Sequence, residues 1–173
     1  MGTRVTLGVL ITIPEPHASV LADWRRRAGD ERGALIPPHV TLLTPTTVDR
    51  DDLPAVRAHL AKAAEGDGPF PMHLLGTGTF RPTSPVVFIQ VARGIAECQS
   101  LEQSIRSGPL LRDLDFTYHP HVTVAQEVSD EALDEAYDGL ANFMARFPVD
   151  HFSLFQLGDD GLWTSEDYQL GDP

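Results

Sequence analysis

The tetrapeptide Pro-His-Val-Thr occurs twice in this chain of 173 residues, at Pro38–Thr41 and again at Pro120–Thr123. Each copy continues into apolar residues, and the two copies lie on either side of the midpoint of the chain. Because a tetrapeptide rarely recurs by chance in a chain of this length, the repeat indicates an internal duplication. A duplication predicts two similar lobes, each with one His-x-Thr strand, and two histidines that face each other.

Strand geometry decides where the motif side chains point. Residues two apart on a strand share one face, so His39 and Thr41 lie on one side while Val40 points into the core. The same alternation places His121 and Thr123 on one face of the second strand. A proline before each histidine suits the first position of a strand, where its missing amide does little harm.

Two imidazoles and two hydroxyls around one space form a set suited to a phosphodiester. Imidazole titrates near neutral pH, so one histidine can act as a base while the other acts as an acid. A threonine hydroxyl can donate a hydrogen bond to a phosphoryl oxygen and stabilise the charge that develops there. The predicted catalytic residues are His39, Thr41, His121 and Thr123, and this chemistry requires neither a metal nor a cofactor.

The rest of the chain reads as an α+β fold in one two-lobed domain spanning residues 1–173. Hydrophobic patterns predict strands over 5–13, 39–43, 72–80, 86–91, 121–125, 149–157 and 162–170. They predict helices over 18–28, from near 49 to 64, over 95–107 and over 130–143. We expect two antiparallel sheets that flank a central groove, with the helices outside.

The charge and composition of the chain argue against some classes of function. A formal net charge of −12 argues against an extended nucleic-acid surface, because such surfaces need a basic stripe. The run Arg25–Arg27 reads as a solvated helix face. A single cysteine, Cys98, suits a reducing compartment, so we expect a cytoplasmic protein. No apolar run approaches the roughly 20 residues of a membrane span, and a monomer is the default expectation.

Three further residues are candidates for binding substrate. Tyr118 lies just before the second motif and can stack on a base or a ribose. Phe80 and Arg81 end a predicted strand that borders the groove. The alternative is a structural role for each, since aromatic side chains commonly fill a core.

A metal site is the alternative to metal-free chemistry. His119 and His121 form a His-x-His pair that can bind one metal ion on a strand, with His39 as a third ligand. Pro120 between the pair and the lack of a matching carboxylate weaken this alternative. The prediction is therefore that the site contains no metal.

The paired motif resembles that of the 2H phosphoesterase superfamily, which includes RNA 2′,3′-cyclic phosphodiesterases and 2′-5′ RNA ligases. The resemblance extends over nearly the whole chain. Besides the motifs it includes the leading strand over 5–13, the segments Gly76–Phe80 and Pro85–Ile89, and the pattern Phe116-x-Tyr118-x-Pro120.

The resemblance implies a bilobal fold whose histidine strands line a central groove. It also implies metal-independent opening of a 2′,3′-cyclic phosphate to a 2′-phosphate. By this resemblance His121 would activate the attacking water, and His39 would protonate the departing 3′ oxygen. Thr41 and Thr123 would hold the phosphoryl oxygens.

Two departures bear on the substrate. Many family members carry a basic residue shortly after the second motif, where this chain has Gln126, and many continue the first motif differently from Leu43-Thr44-Pro45. The expected partner is therefore either an RNA terminus or a small cyclic nucleotide. A nucleotide-binding module without turnover and a 2′-5′ RNA ligase are the other functions that this fold would allow.

Overall fold

The computed structural model describes residues 3–31 and 35–171, which form eight strands and four α-helices. The strands are β1 (Arg4–Thr12), β2 (His39–Asp49), β3 (Phe70–Thr79), β4 (Val86–Arg93), β5 (His121–Gln126), β6 (Met144–Val149), β7 (His151–Leu157) and β8 (Trp163–Gln169). The helices are α1 (His17–Ala28), α2 (Leu53–Glu65), α3 (Ile95–Ile105) and α4 (Asp130–Gly139). The predicted α+β composition is confirmed.

The strands form one curled antiparallel sheet in the order β6-β3-β4-β5-β2-β1-β7-β8. Its two middle strands, β2 and β5, are joined through the residue pair Val40–Val122. The two separate sheets predicted from the sequence are instead one continuous sheet, whose two four-stranded halves meet at this pair of strands. Each half carries one His-x-Thr strand at its inner edge, so the two motifs lie side by side at the centre of the molecule.

The helices cover the sheet in a crossed arrangement. Helix α1 connects β1 to β2 but packs against β5, in the other half, together with α4. Helix α3 connects β4 to β5 but packs against β2, alongside α2. Both helices contribute apolar side chains to the core: Leu21 of α1 and Leu101 and Ile105 of α3 are fully buried. Each such side chain contributes about 1.5–3 kcal/mol on burial, which fastens the two halves together.

The sequence prediction was wrong between residues 140 and 150. Helix α4 ends at Gly139, not near 143, and the edge strand β6 follows and pairs with β3. Burial along β6 alternates, with Ala145, Phe147 and Val149 inside and the intervening residues exposed. This strand was missed because its alternation covers only six residues and includes Pro148, which is tolerated since β6 lies at the edge of the sheet.

The arginine run of α1 is also not uniformly solvated. The Arg25 side chain is only 12% exposed, and its Nε donates to Oδ2 of the buried Asp30 at 2.8 Å. Arg26 and Arg27 remain on the surface, where they pair with Asp23 and Glu135. Among the described residues, no helix is long and apolar enough to cross a membrane.

Candidate active site

The two motif strands have the same pattern of burial. In each, the histidine and threonine are half-buried, whereas the valine between them is fully buried. Val40 pairs with Val122, so an antiparallel register continued by one residue brings His39 next to Thr123, and His121 next to Thr41. All four polar side chains therefore share one face, with each imidazole beside the hydroxyl of the opposite strand.

Both imidazole rings are oriented by the backbone two residues earlier. Nδ1 of His39 lies 2.8 Å from the carbonyl oxygen of Pro37, and Nδ1 of His121 lies 2.6 Å from that of His119. A carbonyl can only accept, so each Nδ1 carries a proton and donates it. Within the described ranges neither Nε2 atom has a hydrogen-bond partner. Each neutral ring thus presents an unoccupied Nε2 lone pair.

Burial lowers the pKa of both histidines because it penalises the charged imidazolium. The bonds to the backbone carbonyls act in the opposite direction but are the smaller effect. Positive charge on Arg25 and His121 further lowers the pKa of His39, and positive charge on His119 does so for His121. In the free protein at neutral pH both rings are therefore mainly neutral, which suits a general base.

Two phenylalanines hold the His121 ring in place. Phe80 meets it edge-on with the ring centroids 5.0 Å apart, and Phe88 packs against it at 5.1 Å. The two phenylalanine rings also contact each other at 4.5 Å. Phe88 has room for this position because the residue opposite it in the sheet is Gly78, where a Cβ would lie 2.7 Å from the Phe88 ring.

A cavity of about 580 Å³ opens beside Thr41 and His121, in the size range of pockets for small ligands. Its walls are largely apolar and include Leu42, Leu43, Phe80, Leu114, Phe116 and Tyr118. The Tyr118 hydroxyl donates to the carbonyl oxygen of Thr41 at 2.8 Å, and burial raises the pKa of this phenol. Tyr118 thereby fixes the backbone that carries the Thr41 hydroxyl.

Comparison with known proteins decides the family. Residues 13–161, most of the chain, match the model of the 2′-5′ RNA ligase superfamily. The chain belongs to this superfamily. The resemblance of its two His-x-Thr motifs to those of 2H phosphoesterases is thereby confirmed.

Individual relatives agree with this assignment over nearly their full length. A "putative phosphoesterase" from Bacillus thuringiensis (strain Al Hakam) is 29% identical over 168 residues, covering 95% of this chain and 96% of the relative. E. coli LigT in its apo form has a TM-score of 0.70 at 17% identity, covering 99% of this chain and 100% of LigT. LigT complexed with 3′-AMP has a TM-score of 0.64 at 17% identity, covering 96% and 98%. The solved structures show that the fold is shared.

In this 2H phosphoesterase the predicted substrate-binding residues separate into two groups. Phe80 and Tyr118 line the cavity, whereas Arg81 is not among its lining residues. The Arg81 guanidinium donates to Asp134 of α4 at 2.8 Å and to the hydroxyl of Thr79 at 3.2 Å. The charge of Arg81 is thus paired with a carboxylate 53 residues later in the sequence.

Four charged residues that line the cavity, Glu102, Arg106, Arg112 and Asp115, were not predicted from the sequence. Glu102 and Arg106 of the α3 region form an ion pair at 2.6 Å, and Arg106 also donates to the backbone carbonyl of Arg112. The spacing of Glu102 and Arg106, four residues apart on a predicted helix, was a usable signal for the pair. Arg112 lies in an irregular stretch without periodicity, so no pattern pointed to it.

The metal alternative finds no ligand set in the part of the chain that the structure describes. No three His, Cys, Asp or Glu side chains there are grouped so that they could hold a metal ion. The His119 ring instead packs against Phe80 and Phe88, at centroid distances of 5.6 and 5.3 Å. Gln126, which stands where many family members have a basic residue, lies at the far end of β5. It pairs with Val86 and does not line the cavity.

Proposed function

We propose that this protein is a metal-independent phosphodiesterase that hydrolyses 2′,3′-cyclic phosphates to 2′-phosphates. The observation that carries the proposal is the pair of imidazoles, His39 and His121, which share one face of the sheet with both Nδ1 atoms tied to backbone carbonyls. This arrangement leaves two Nε2 atoms for the reaction. Thr41 and Thr123 supply the hydroxyls beside them.

In the proposed reaction His121 accepts a proton at Nε2 from a water molecule as the water oxygen attacks phosphorus. The bond between phosphorus and the 3′ oxygen breaks, and Nε2–H of His39 protonates that oxygen. The product is a ribose 2′-phosphate with a free 3′ hydroxyl. His121 then loses its proton to solvent and returns to its neutral form, and His39 takes up a proton again when the next substrate binds.

Because the pKa values of His39 and His121 are lowered, we infer that the bound substrate helps to protonate one of them. His121, neutral in the free protein, is already a base at pH 7. His39 needs a proton to act as an acid, and the negative charge of a bound cyclic phosphate favours the imidazolium next to it. Substrate binding therefore prepares the acid, while Thr41 and Thr123 donate hydrogen bonds to the oxygens on which charge develops.

The size and composition of the cavity suggest the substrate class. About 580 Å³ with apolar walls and a few polar groups suits a nucleoside carrying a phosphate. The fold relative LigT has been solved with the small nucleotides 3′-AMP, ATP and NADP+. We infer that the substrate is a small cyclic nucleotide or the cyclic phosphate terminus of an RNA.

The test is turnover of the four nucleoside 2′,3′-cyclic monophosphates in excess EDTA, with 2′- and 3′-phosphate products resolved. His39→Ala and His121→Ala should each lower kcat by about 10²–10⁴-fold, as expected for loss of a general acid or base. His73→Ala on β3 is the matched control, since His73 lies outside the cavity lining.

Other results of this experiment would favour a different function or mechanism. Activity lost on chelation and restored by a metal would favour the His119, His121 and His39 metal site. Nucleotide-induced stabilisation of the fold without product would favour a binding module. Formation of 3′-phosphate would overturn the assignment of the leaving oxygen, and wild-type rates in either histidine variant would overturn the mechanism.

A further inference from the structure

The cavity contains two arginines in different electrostatic states. Arg106 is neutralised, because its Nε and Nη2 contact both carboxylate oxygens of Glu102 at 2.6 and 3.4 Å. Glu102 is only 3% exposed, so this pair is part of the cavity wall. Arg106 also donates to the backbone carbonyl of Arg112, at 3.2 Å, and thereby fixes the position of that residue.

The second arginine, Arg112, is held by hydroxyls and not by a carboxylate. Its Nη1 donates to Oγ1 of Thr46 at 2.8 Å and approaches Oγ1 of Thr44 at 3.4 Å. Thr46 in turn donates to the carbonyl of Thr44, so its oxygen is oriented to accept from the guanidinium. In the described part of the chain no carboxylate forms an ion pair with Arg112. Asp115 lines the same cavity but is exposed to solvent, which screens its charge.

This geometry leaves one edge of the guanidinium available. With Nη1 occupied by threonine hydroxyls, the Nε–H and Nη2–H groups remain as a planar fork. A fork of two parallel N–H groups matches two oxygens of a phosphate, and this match makes arginine a selective phosphate ligand. The half-buried position next to apolar walls strengthens such a contact relative to one in open water.

We propose that Arg112 binds a second phosphoryl group of the substrate, the one on the 5′ oxygen of the ribose whose 2′,3′-cyclic phosphate is hydrolysed. The proposal rests on the proposed function, since it places the cyclic phosphate at His121 and Thr41 and the second phosphate in the same cavity. The preferred substrate class is then a 5′-phosphorylated nucleoside 2′,3′-cyclic phosphate. That chemistry occurs in a free nucleotide and at the 3′ end of an RNA.

The experiment compares kcat/KM for three substrates of one base: the nucleoside 2′,3′-cyclic phosphate, the same compound with a 5′-phosphate, and a dinucleotide ending in the cyclic phosphate. We expect wild type to favour a 5′-phosphorylated form over the first by about ten- to a hundredfold. In Arg112→Gln this ratio should fall toward one. Arg112→Lys, which keeps the charge but loses the fork, should give an intermediate ratio.

The ratio of kcat/KM values controls for damage to the fold, because all three substrates are measured with the same variant. Arg93→Gln removes the same charge from an exposed arginine at the end of β4 and should keep the wild-type ratio. A preference for the 5′-phosphate compound alone identifies a free nucleotide as the source, and a preference for the dinucleotide alone identifies an RNA end. A ratio near one in wild type, or an unchanged ratio in Arg112→Gln, overturns the proposal.

Failure of the proposed function would be visible separately, as no turnover of any of the three substrates by wild type. The Arg112 site is then tested by calorimetric titration with a nucleoside 2′-phosphate and a nucleoside 2′,5′-bisphosphate. Tighter binding of the bisphosphate in wild type but not in Arg112→Gln supports the second phosphate site. Equal affinities in wild type refute it.

Discussion

Gly78→Ala should impair the site from outside the two motifs. Gly78 pairs with Phe88 across β3 and β4, and an added Cβ would lie 2.7 Å from the ring atoms Cε2 and Cζ of Phe88. Ordinary van der Waals contact begins near 3.4 Å, so the ring must move by about 0.7 Å. Phe88 is 4% exposed and packs against Phe80 and His121, so its movement disturbs the imidazole of His121, the proposed general base.

The magnitude follows from two separate effects. Overpacking of a core typically lowers the free energy of unfolding by about 1–3 kcal/mol. Misplacement of a catalytic group by about 1 Å can lower a rate by about 10²-fold, so a shift of this size should lower kcat by about tenfold or more. We therefore expect Gly78→Ala to remain folded at 25 °C but to turn over slowly.

The assay combines denaturant unfolding with kcat for the cyclic phosphate substrate. Gly66→Ala is the matched control, because Gly66 has φ −76° and the nearest atom to an added Cβ lies at an ordinary 3.5 Å. Trimming the neighbour in Gly78→Ala/Phe88→Leu should recover activity relative to Gly78→Ala. Wild-type kcat and unfolding free energy in Gly78→Ala would refute the argument, as would a double variant no better than the single one.

Two further predictions concern the groove. Tyr118→Phe removes the hydroxyl that donates to the Thr41 carbonyl. We expect the free energy of unfolding to fall by about 1–3 kcal/mol and kcat to fall as well. If the unfolding free energy and kcat are both unchanged, this hydrogen bond does not position Thr41. For wild type, kcat/KM should fall as pH rises above 6.5, because the free-protein pKa values of His39 and His121 both lie below that value and the singly protonated form is lost. The decline of kcat should come at higher pH than that of kcat/KM, since the bound phosphate raises the pKa of His39, the proposed acid. An increase of kcat/KM between pH 6.5 and 8.5 would contradict the roles proposed for the two histidines.

The local part of the site could be predicted from the sequence. Placing His39 and Thr41 on one face requires only the alternation of a strand, and the repeat at His121 and Thr123 predicted that the two strands belong together. The N-terminal cap of α4 is equally local, since the hydroxyl of Ser129 accepts a hydrogen bond from the amide of Ala132 at 3.2 Å. Such features depend on neighbours within three residues, which a sequence displays directly.

The surroundings of the four motif side chains could not be predicted from the sequence, because they depend on contacts between distant segments. Arg81, which the sequence places among the candidate substrate-binding residues, donates to Asp134 of another element and does not line the cavity. Arg25 was expected in solvent but pairs with the buried Asp30. Arg112 gave no signal at all, since the threonines that orient it precede it by more than sixty residues. The face on which the motif side chains lie is therefore easier to predict from the sequence than the contacts that distant segments make around them.

The crossed helices have an evolutionary consequence. Consider two identical chains, each equal to one half, that associate in this way. Helices α1 and α3 would then be the same helix, exchanged between the two chains. The two imidazoles would have identical surroundings and identical pKa values. Within a single chain each motif can change alone. Burial lowers the pKa of His39 and Arg25 lowers it further, whereas Phe80 and Phe88 pack on His121. In the proposed mechanism, joining the halves in one chain allows the two copies of the tetrapeptide to take the separate roles of acid and base.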